Sequence, residues 1–317
     1  MFATIVGPYP RPDGLDDESV LRLALADQLE AGMGILADGA PTPDADPVGA
    51  WRRADATARS LAIELEVEPP PVKARLLGPW TAGRGSSHRR RHRHETMAAA
   101  SIGNDQLRAL FAAGAPLVQV EEDGLAVIEA DDEPARALAI EALLALMDGI
   151  RGHVSLSISG GDASVAGLEV LYAAPFSSHL FDLILGPDGW RVARQAPRER
   201  GLILGVADCR KAIPDDVPVS VWAARYGASM GARGLDRIGL APSVGLERLP
   251  LEAARAKLRA LAEAAAVAGL GGQELRNAMP KKALVRTARP GRPPSTLPPE
   301  AKPKQVPEVG PDPAESA

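Results

Sequence analysis

A single cysteine, Cys209, stands in the 317 residues, so the chain cannot form an intrachain disulfide and gives no sign of an oxidising compartment. Positive charge is also in short supply: 36 Lys and Arg face 41 Asp and Glu, a formal net charge of -5. A phosphate-binding face normally needs a basic surplus, so the overall balance does not call for nucleic acid. No apolar run is as long as the roughly 20 uninterrupted residues that a membrane span requires. The start, Met1-Phe2-Ala3-Thr4-Ile5-Val6-Gly7-Pro8, lacks the basic opening and long apolar core of a secretory leader. These absences predict a soluble, cytoplasmic protein that binds neither nucleic acid nor membrane.

What is present is alternation. Eight β-rich runs follow one another: FATIVG, MGILADG, VKARLLG, PLVQVEE, HVSLSIS, LFDLILG, GLILGVAD and LDRIGLAP. Between them lie helix-like segments at 19–31, 46–65, 96–113, 133–150 and 218–230. In a final helix Leu251, Ala254, Leu258, Leu261 and Ala265 share one face. Asp16 and Asp17 are placed to cap the first helix, Gly32 to end it, and Pro250 to open the last. Strands separated by helices pair in parallel, and eight such units predict a (β/α)8 TIM barrel, with an open doubly wound sheet as the alternative. The barrel is expected over residues 1–275. A proline-rich tail, 276–317, is expected to be disordered, because it has too little apolar surface to offset its ordering entropy. Its Pro-Pro pairs suit a protein partner or plain solvation.

In such a barrel the chemistry gathers on loops after the carboxyl ends of strands. That rule selects Gly7-Pro8-Tyr9, Asp38-Gly39-Ala40, Gly78-Pro79-Trp80-Thr81, Glu121-Glu122-Asp123, Ser157-Ile158-Ser159, Asp208-Cys209 and Pro242-Ser243-Val244.

The same strand ends, IVGPYPRP, EAGMGILADGA, LLGPWT, AGAPLVQVEED, LGVADCR and IGLAPSVGLERLPLEAARAKL, occur in the order and spacing of one family. Over residues 2–268 the chain resembles the C-terminal catalytic barrel of cobalamin-independent methionine synthase, as a divergent single-barrel member. The resemblance implies methyl transfer from a folate to homocysteine sulfur, with zinc holding the thiolate. The family's ligands are a His-x-Cys pair, a Glu and a Cys after the fifth, sixth and eighth strands. Carried over by position, the pair becomes Ser157 and Ser159, no Glu occurs in 181–189, and the last Cys becomes Val244 after Ser243. Catalytic zinc takes about three thiolate, imidazole or carboxylate ligands, so no metal ligand and no cofactor is predicted. His153 and His179 fall at strand starts, near the other mouth. Of the family's substrate-pocket features, Gly7, Asp38, Gln119 and Asp208 persist, whereas the Asp-Gly-Glu of the second strand has become Asp38-Gly39-Ala40.

Other candidates stand beside these. The run Ser86-Ser87-His88-Arg89-Arg90-Arg91-His92-Arg93-His94 reads as a basic loop on the pocket side, either solvated or gripping an anion. Glu121, Glu122 and Asp123 are close enough in sequence to raise one another's pKa, which makes Glu121 a candidate acid or base, with Asp208 a second. The neutral alternative has one of the three facing the pocket, one pairing with a neighbouring cation and one capping the next helix. Cys209 reads as a packed thiol or a nucleophile, and Trp80 and Tyr9 as ligand-stacking rings or plugs. Two functions follow: a methionine synthase-type enzyme with altered chemistry, or a non-catalytic barrel that binds a small ligand at its mouth, an acidic one among the candidates. The substrate-pocket residues in either case are Gly7, Asp38, Gln119, Glu121, Ser157, Ser159 and Ser243.

Overall fold

The computed structural model describes residues 1–84, 89–129, 131–186 and 188–279; the expected tail therefore lies, but for its first four residues, outside the described residues. Seven strands form one sheet: β1 (Phe2–Ala3), β2 (Ala74–Leu77), β3 (Leu117–Glu121), β4 (His153–Ile158), β5 (Ser178–Asp182), β6 (Gly201–Ala207) and β7 (Ile238–Pro242). Every pairing is parallel and the order is β1-β7-β6-β5-β4-β3-β2. The order runs in one sense, without the reversal that a doubly wound sheet has.

The second of the eight expected runs is not a strand. It contributes one bridge, Leu36 to Val72. Gly34 and Ile35 donate their N–H groups to Ala3 O, Leu36 donates to Pro71 O, and Lys73 donates to Leu36 O. The segment thus lies between the two edge strands and is bonded to both. Pro71 has no N–H to return, and Gly39 turns the chain at φ +67°, so the ladder cannot lengthen.

The helices are α1 (Asp17–Ala31), α2 (Pro47–Glu64), α3 (Pro79–Gly83), α4 (Arg89–Ala112), α5 (Glu133–Met147), α6 (Leu168–Leu171), α7 (Gly189–Gln195), α8 (Val217–Ser229), α9 (Leu251–Gly269) and α10 (Gly272–Ala278). One device starts several of them. Asp16, Asp46, Asp132 and Asp216 each accept a hydrogen bond from a backbone N–H in the first turn of α1, α2, α5 and α8. In the last three, proline follows within two residues, where its missing N–H costs nothing. Gly32 ends α1 in the left-handed conformation, as its position after the apolar pattern predicts. Pro250 stands one place outside α9, as its cap.

Two expectations need correction. The basic run is not a loop throughout: Arg89 to His94 form the first turns of α4, while 85–88 lie outside the described residues. Arg91 pairs with Glu95 at 2.8 Å, Arg93 reaches Glu141 of α5 at 2.7 Å, and His92 Nδ1 lies 2.7 Å from Gly83 O. These bonds offset the repulsion within the run. The chain also remains helical past α9, through α10, before the described residues end.

Apolar side chains divide into two bodies. The larger fills the space between sheet and helices and includes Leu25, Leu36, Leu107, Leu143 and Leu258. Each of these is essentially unexposed, a gain of about 1.5–3 kcal/mol apiece. The smaller comprises Val6, Leu180, Ile203 and Ala241, with Phe2 beneath, and occupies the inner face of the sheet. It lines one side of that face only; the other side is polar.

Candidate functional site

Parallel register puts paired residues on the same face of the sheet. Arg75 pairs with Gln119 and Gln119 with Ser155; one step on, Glu121 pairs with Ser157 and Ser157 with Leu180. The inner wall therefore changes from charged to hydroxyl to aliphatic as it passes from β2 to β5.

The charged side is one continuous hydrogen-bond network. Arg75 grips Glu121 with two bonds, Nε to Oε1 at 2.7 Å and Nη2 to Oε2 at 3.1 Å. Its Nη1 donates to Asp38 Oδ1 at 2.7 Å and to Ala40 O at 2.8 Å. Burial alone would lower the Arg75 pKa, but Glu121 and Asp38 outweigh it and hold the guanidinium charged. Gln119 donates to Glu121 Oε1 at 3.0 Å and accepts from Lys73 Nζ at 2.7 Å. Lys73 Nζ also donates to Thr4 Oγ1 and Ile5 O. Burial lowers the Lys73 pKa to about 7 against the opposing pull of Glu121. Asp38, Gln119 and Glu121 are thus brought together, as the strand-end rule anticipates. Lys73 and Arg75, which complete the network, were not among the sequence candidates. Their signal was two cations spaced by two in the apolar run VKARLLG, a spacing that puts both on one face of a strand.

The three consecutive acids have separate tasks. Glu121 pairs with Arg75. Glu122 accepts from Trp80 N, Thr81 N and Thr81 Oγ1 at 2.9, 2.8 and 2.6 Å and so caps the start of α3. Its carboxyl is pushed up to about 7 by burial, in spite of those donors. A Cβ on Gly78 would lie 2.1 Å from this side chain, so the cap needs glycine there. Asp123 accepts from Ser159 N at 2.7 Å and Ser159 Oγ at 3.0 Å, and burial raises it to about 6. Of the neutral reading of the triplet the pairing with a cation is seen, at Glu121; the capped helix is the preceding α3, and Asp123 is bonded to Ser159.

Across the mouth the polar side-chain atoms are oxygens. Ser155 Oγ, Ser157 Oγ, Ser243 Oγ and Asp182 Oδ2 are buried without a hydrogen-bond partner. Asp182, at the carboxyl end of β5, uses its other oxygen for Ile184 N and Leu185 N, and burial raises its pKa. It pairs with Gly205, and a Cβ there would lie 3.2 Å from Ser243 Cα, so bare backbone is all that separates the two strand ends. Asp182 is a third residue absent from the sequence candidates, because the expected strand began two residues late. The β4 and β7 ends also meet, through Gly160 N donating to Ser243 O at 3.2 Å. Gly7, at φ +65°, lies close against Gly245, with its virtual Cβ 3.0 Å from Gly245 Cα.

Asp208 is clamped by Arg210 through two bonds of 2.8 and 2.9 Å, chiefly for which reason its pKa falls to about 2. The Cys209 thiol is buried and pushed up to about 12, so it is a packed thiol near neutral pH. Tyr9 donates to Asp27 at 2.8 Å and Trp80 to Gly124 O at 3.2 Å; both rings are core. His153 begins β4, with Nε2 3.0 Å from Ser178 Oγ. His179 packs among Tyr172, Phe176 and Phe181, and burial lowers it to about 3. Among the described residues no three His, Cys, Asp or Glu side chains gather closely enough to hold a metal ion.

A one-sense parallel sheet, outer helices and polar groups collected at the strand carboxyl ends define a TIM-barrel-like α/β protein. In sequence and fold the chain is related to the cobalamin-independent methionine synthases. It is 34% identical over 148 residues to the 5-methyltetrahydropteroyltriglutamate-homocysteine methyltransferase of Caulobacter vibrioides and 31% over 152 to that of Nitrobacter winogradskyi. These matches cover 46% and 47% of this chain but 18% and 19% of those enzymes, so the likeness spans less than a fifth of their length. The B12-independent methionine synthase of Shewanella sp. W3-18-1, in complex with selenomethionine, superposes with a TM-score of 0.68 at 16% identity, covering 84% of this chain and 96% of that one. A methyltransferase from Methanosarcina mazei gives 0.54 at 14%, covering 81% and 91%. No protein-family model matches.

Proposed function

We propose that this chain is a methionine synthase-type barrel that binds a small neutral or zwitterionic polar molecule at its carboxyl mouth without zinc-activated thiol chemistry. The donor set at the strand ends carries this reading. Catalytic zinc takes about three thiolate, imidazole or carboxylate ligands. Ser157, Ser159 and Val244 occupy the family's ligand positions, and the Ser159 hydroxyl is already bonded to Asp123. Asp182 is the one carboxylate beside Ser155, Ser157 and Ser243 among these unpartnered buried oxygens, and among the described residues no three His, Cys, Asp or Glu side chains gather to hold a metal ion. These residues do not fit the metal.

Buried hydroxyls without partners favour a ligand that brings its own hydrogen-bonding groups, because leaving each unpaired costs about 1–3 kcal/mol. The inner cation, Arg75, is already matched by two carboxylates, which disfavours an acidic ligand. A zwitterion such as methionine is the natural first probe, given the selenomethionine bound by the Shewanella relative.

The test has two arms on the purified full chain. Metal analysis is expected to find zinc well below one per chain, and homocysteine-dependent methyl transfer is expected at background. Stoichiometric zinc or turnover would overturn the loss of thiol chemistry. Calorimetric titration with methionine is expected to give saturable heat that Ser157→Val and Ser243→Val weaken; heat unchanged by both would overturn the mouth as its site.

A further inference from the structure

We propose that an aromatic ladder on α7 and α8 is a docking site for the proline-rich stretch 290–299 of this same chain, held against it as a polyproline II strand. The whole chain has only four Trp, three Tyr and four Phe, yet three of these rings meet at one place on the surface. Trp222 and Tyr226 of α8 stack with centroids 5.2 Å apart and planes at 6°. Trp190 of α7 leans on both, at 6.1 and 5.4 Å. Trp222 is 43% exposed, Tyr226 40% and Val219, on the same stripe of α8, 58%.

Trp51 and Trp80, the other two tryptophans, are buried and donate their indole N–H groups to Val72 O and Gly124 O. Among the described residues the indole N–H groups of Trp190 and Trp222 and the Tyr226 hydroxyl have no hydrogen-bond partner. Flat rings side by side at the surface, with indole N–H groups not spent within the described residues, form the kind of surface that receives proline-rich segments. The prolines lie between the rings, and the strand's carbonyls, which have no internal partners, accept from the indoles.

The end of α9 lies beside this place, and the sequence beyond it supplies such a segment. Arg225, between the two ladder residues of α8, donates to Ala268 O at 2.9 Å and to Leu270 O at 3.2 Å. The end of α9 therefore lies beside the turn of α8 that carries the rings. After α10 the sequence continues to Pro290-Gly291-Arg292-Pro293-Pro294 and Pro298-Pro299. At about 3.1 Å per residue the connection from Met279 to Pro293 reaches about 40 Å, twice the length of α8. A short tether gives an effective concentration on the order of millimolar, so a weak contact suffices to keep the ladder covered.

The experiment uses the full chain and a variant with Pro293, Pro294, Pro298 and Pro299 all replaced by Ser. Because Trp51 and Trp80 are buried, acrylamide quenching of tryptophan fluorescence reports Trp190 and Trp222. Quenching is expected to increase in the proline variant. A synthetic peptide of residues 288–301 is expected to restore protection saturably, and Tyr226→Ala to abolish that response, with circular dichroism confirming an unchanged fold. Equal quenching in the two chains without a peptide response would overturn the proposal. Protection that grows with protein concentration, together with doubled mass in light scattering, would assign the ladder to a second copy and overturn it too.

Discussion

Arg75 is the residue on which most of the mouth's polar groups depend. Its side chain is 2% exposed and serves Glu121 and Asp38 together. Removing one member of a buried ion pair leaves its partners charged and unsolvated, at a cost of about 3–5 kcal/mol. Arg75→Ala is therefore expected to lower the urea midpoint sharply, and Arg75→Met combined with Glu121→Leu to recover part of the loss. Glu122 makes a prediction in pH. Its folded pKa, about 7, lies above its ordinary 4.5, so the fold holds a proton that the unfolded chain releases first. The resulting stability is fully present below pH 4.5 and is lost as the pH rises through 7. Glu122→Gln, neutral throughout, is expected to gain about 3 kcal/mol relative to the parent over that interval, read from denaturation at stepped pH.

At the scale of elements, local chemistry placed three of the five bounded helix-like segments within two residues: the expected 19–31, 46–65 and 218–230 became Asp17–Ala31, Pro47–Glu64 and Val217–Ser229. Caps explain the accuracy, since an aspartate before an apolar pattern acts through its own first turn. The start of α4 escaped because six cations and imidazoles look unhelical until Glu95 and, from another helix, Glu141 are set beside them. Two glycines separate local from tertiary demand. Gly32 has φ +79° with nothing within 4 Å of its virtual Cβ; Gly39 has φ +67° with Tyr9 Cβ at 2.8 Å and Ala24 Cβ at 3.1 Å. Gly32→Ala is expected to cost about 1–2 kcal/mol from backbone strain alone. Gly39→Ala is expected to cost about 1–3 kcal/mol more, because overlap is added. Thermal melts of the two variants read the difference.

For the whole molecule, what the amino-acid order determined by itself was most of the succession of strand and helix and the parallel class of the sheet. Each of these depends on periodicity, caps and residue type within a short span of chain. Asp38, Gln119 and Glu121 were legible as neighbours because a barrel brings strand ends together. Only the tertiary structure decided that the second run is a bridging segment rather than a strand, since that depends on the N–H groups Pro71 lacks and on the reach of Ala3 O. It alone decided that Glu121 belongs to Arg75, Glu122 to α3 and Asp123 to Ser159. Three acids in a row are chemically alike on paper. Their partners come from strands and helices some 40 residues away, and distance in space, which sequence does not record, assigns each its role.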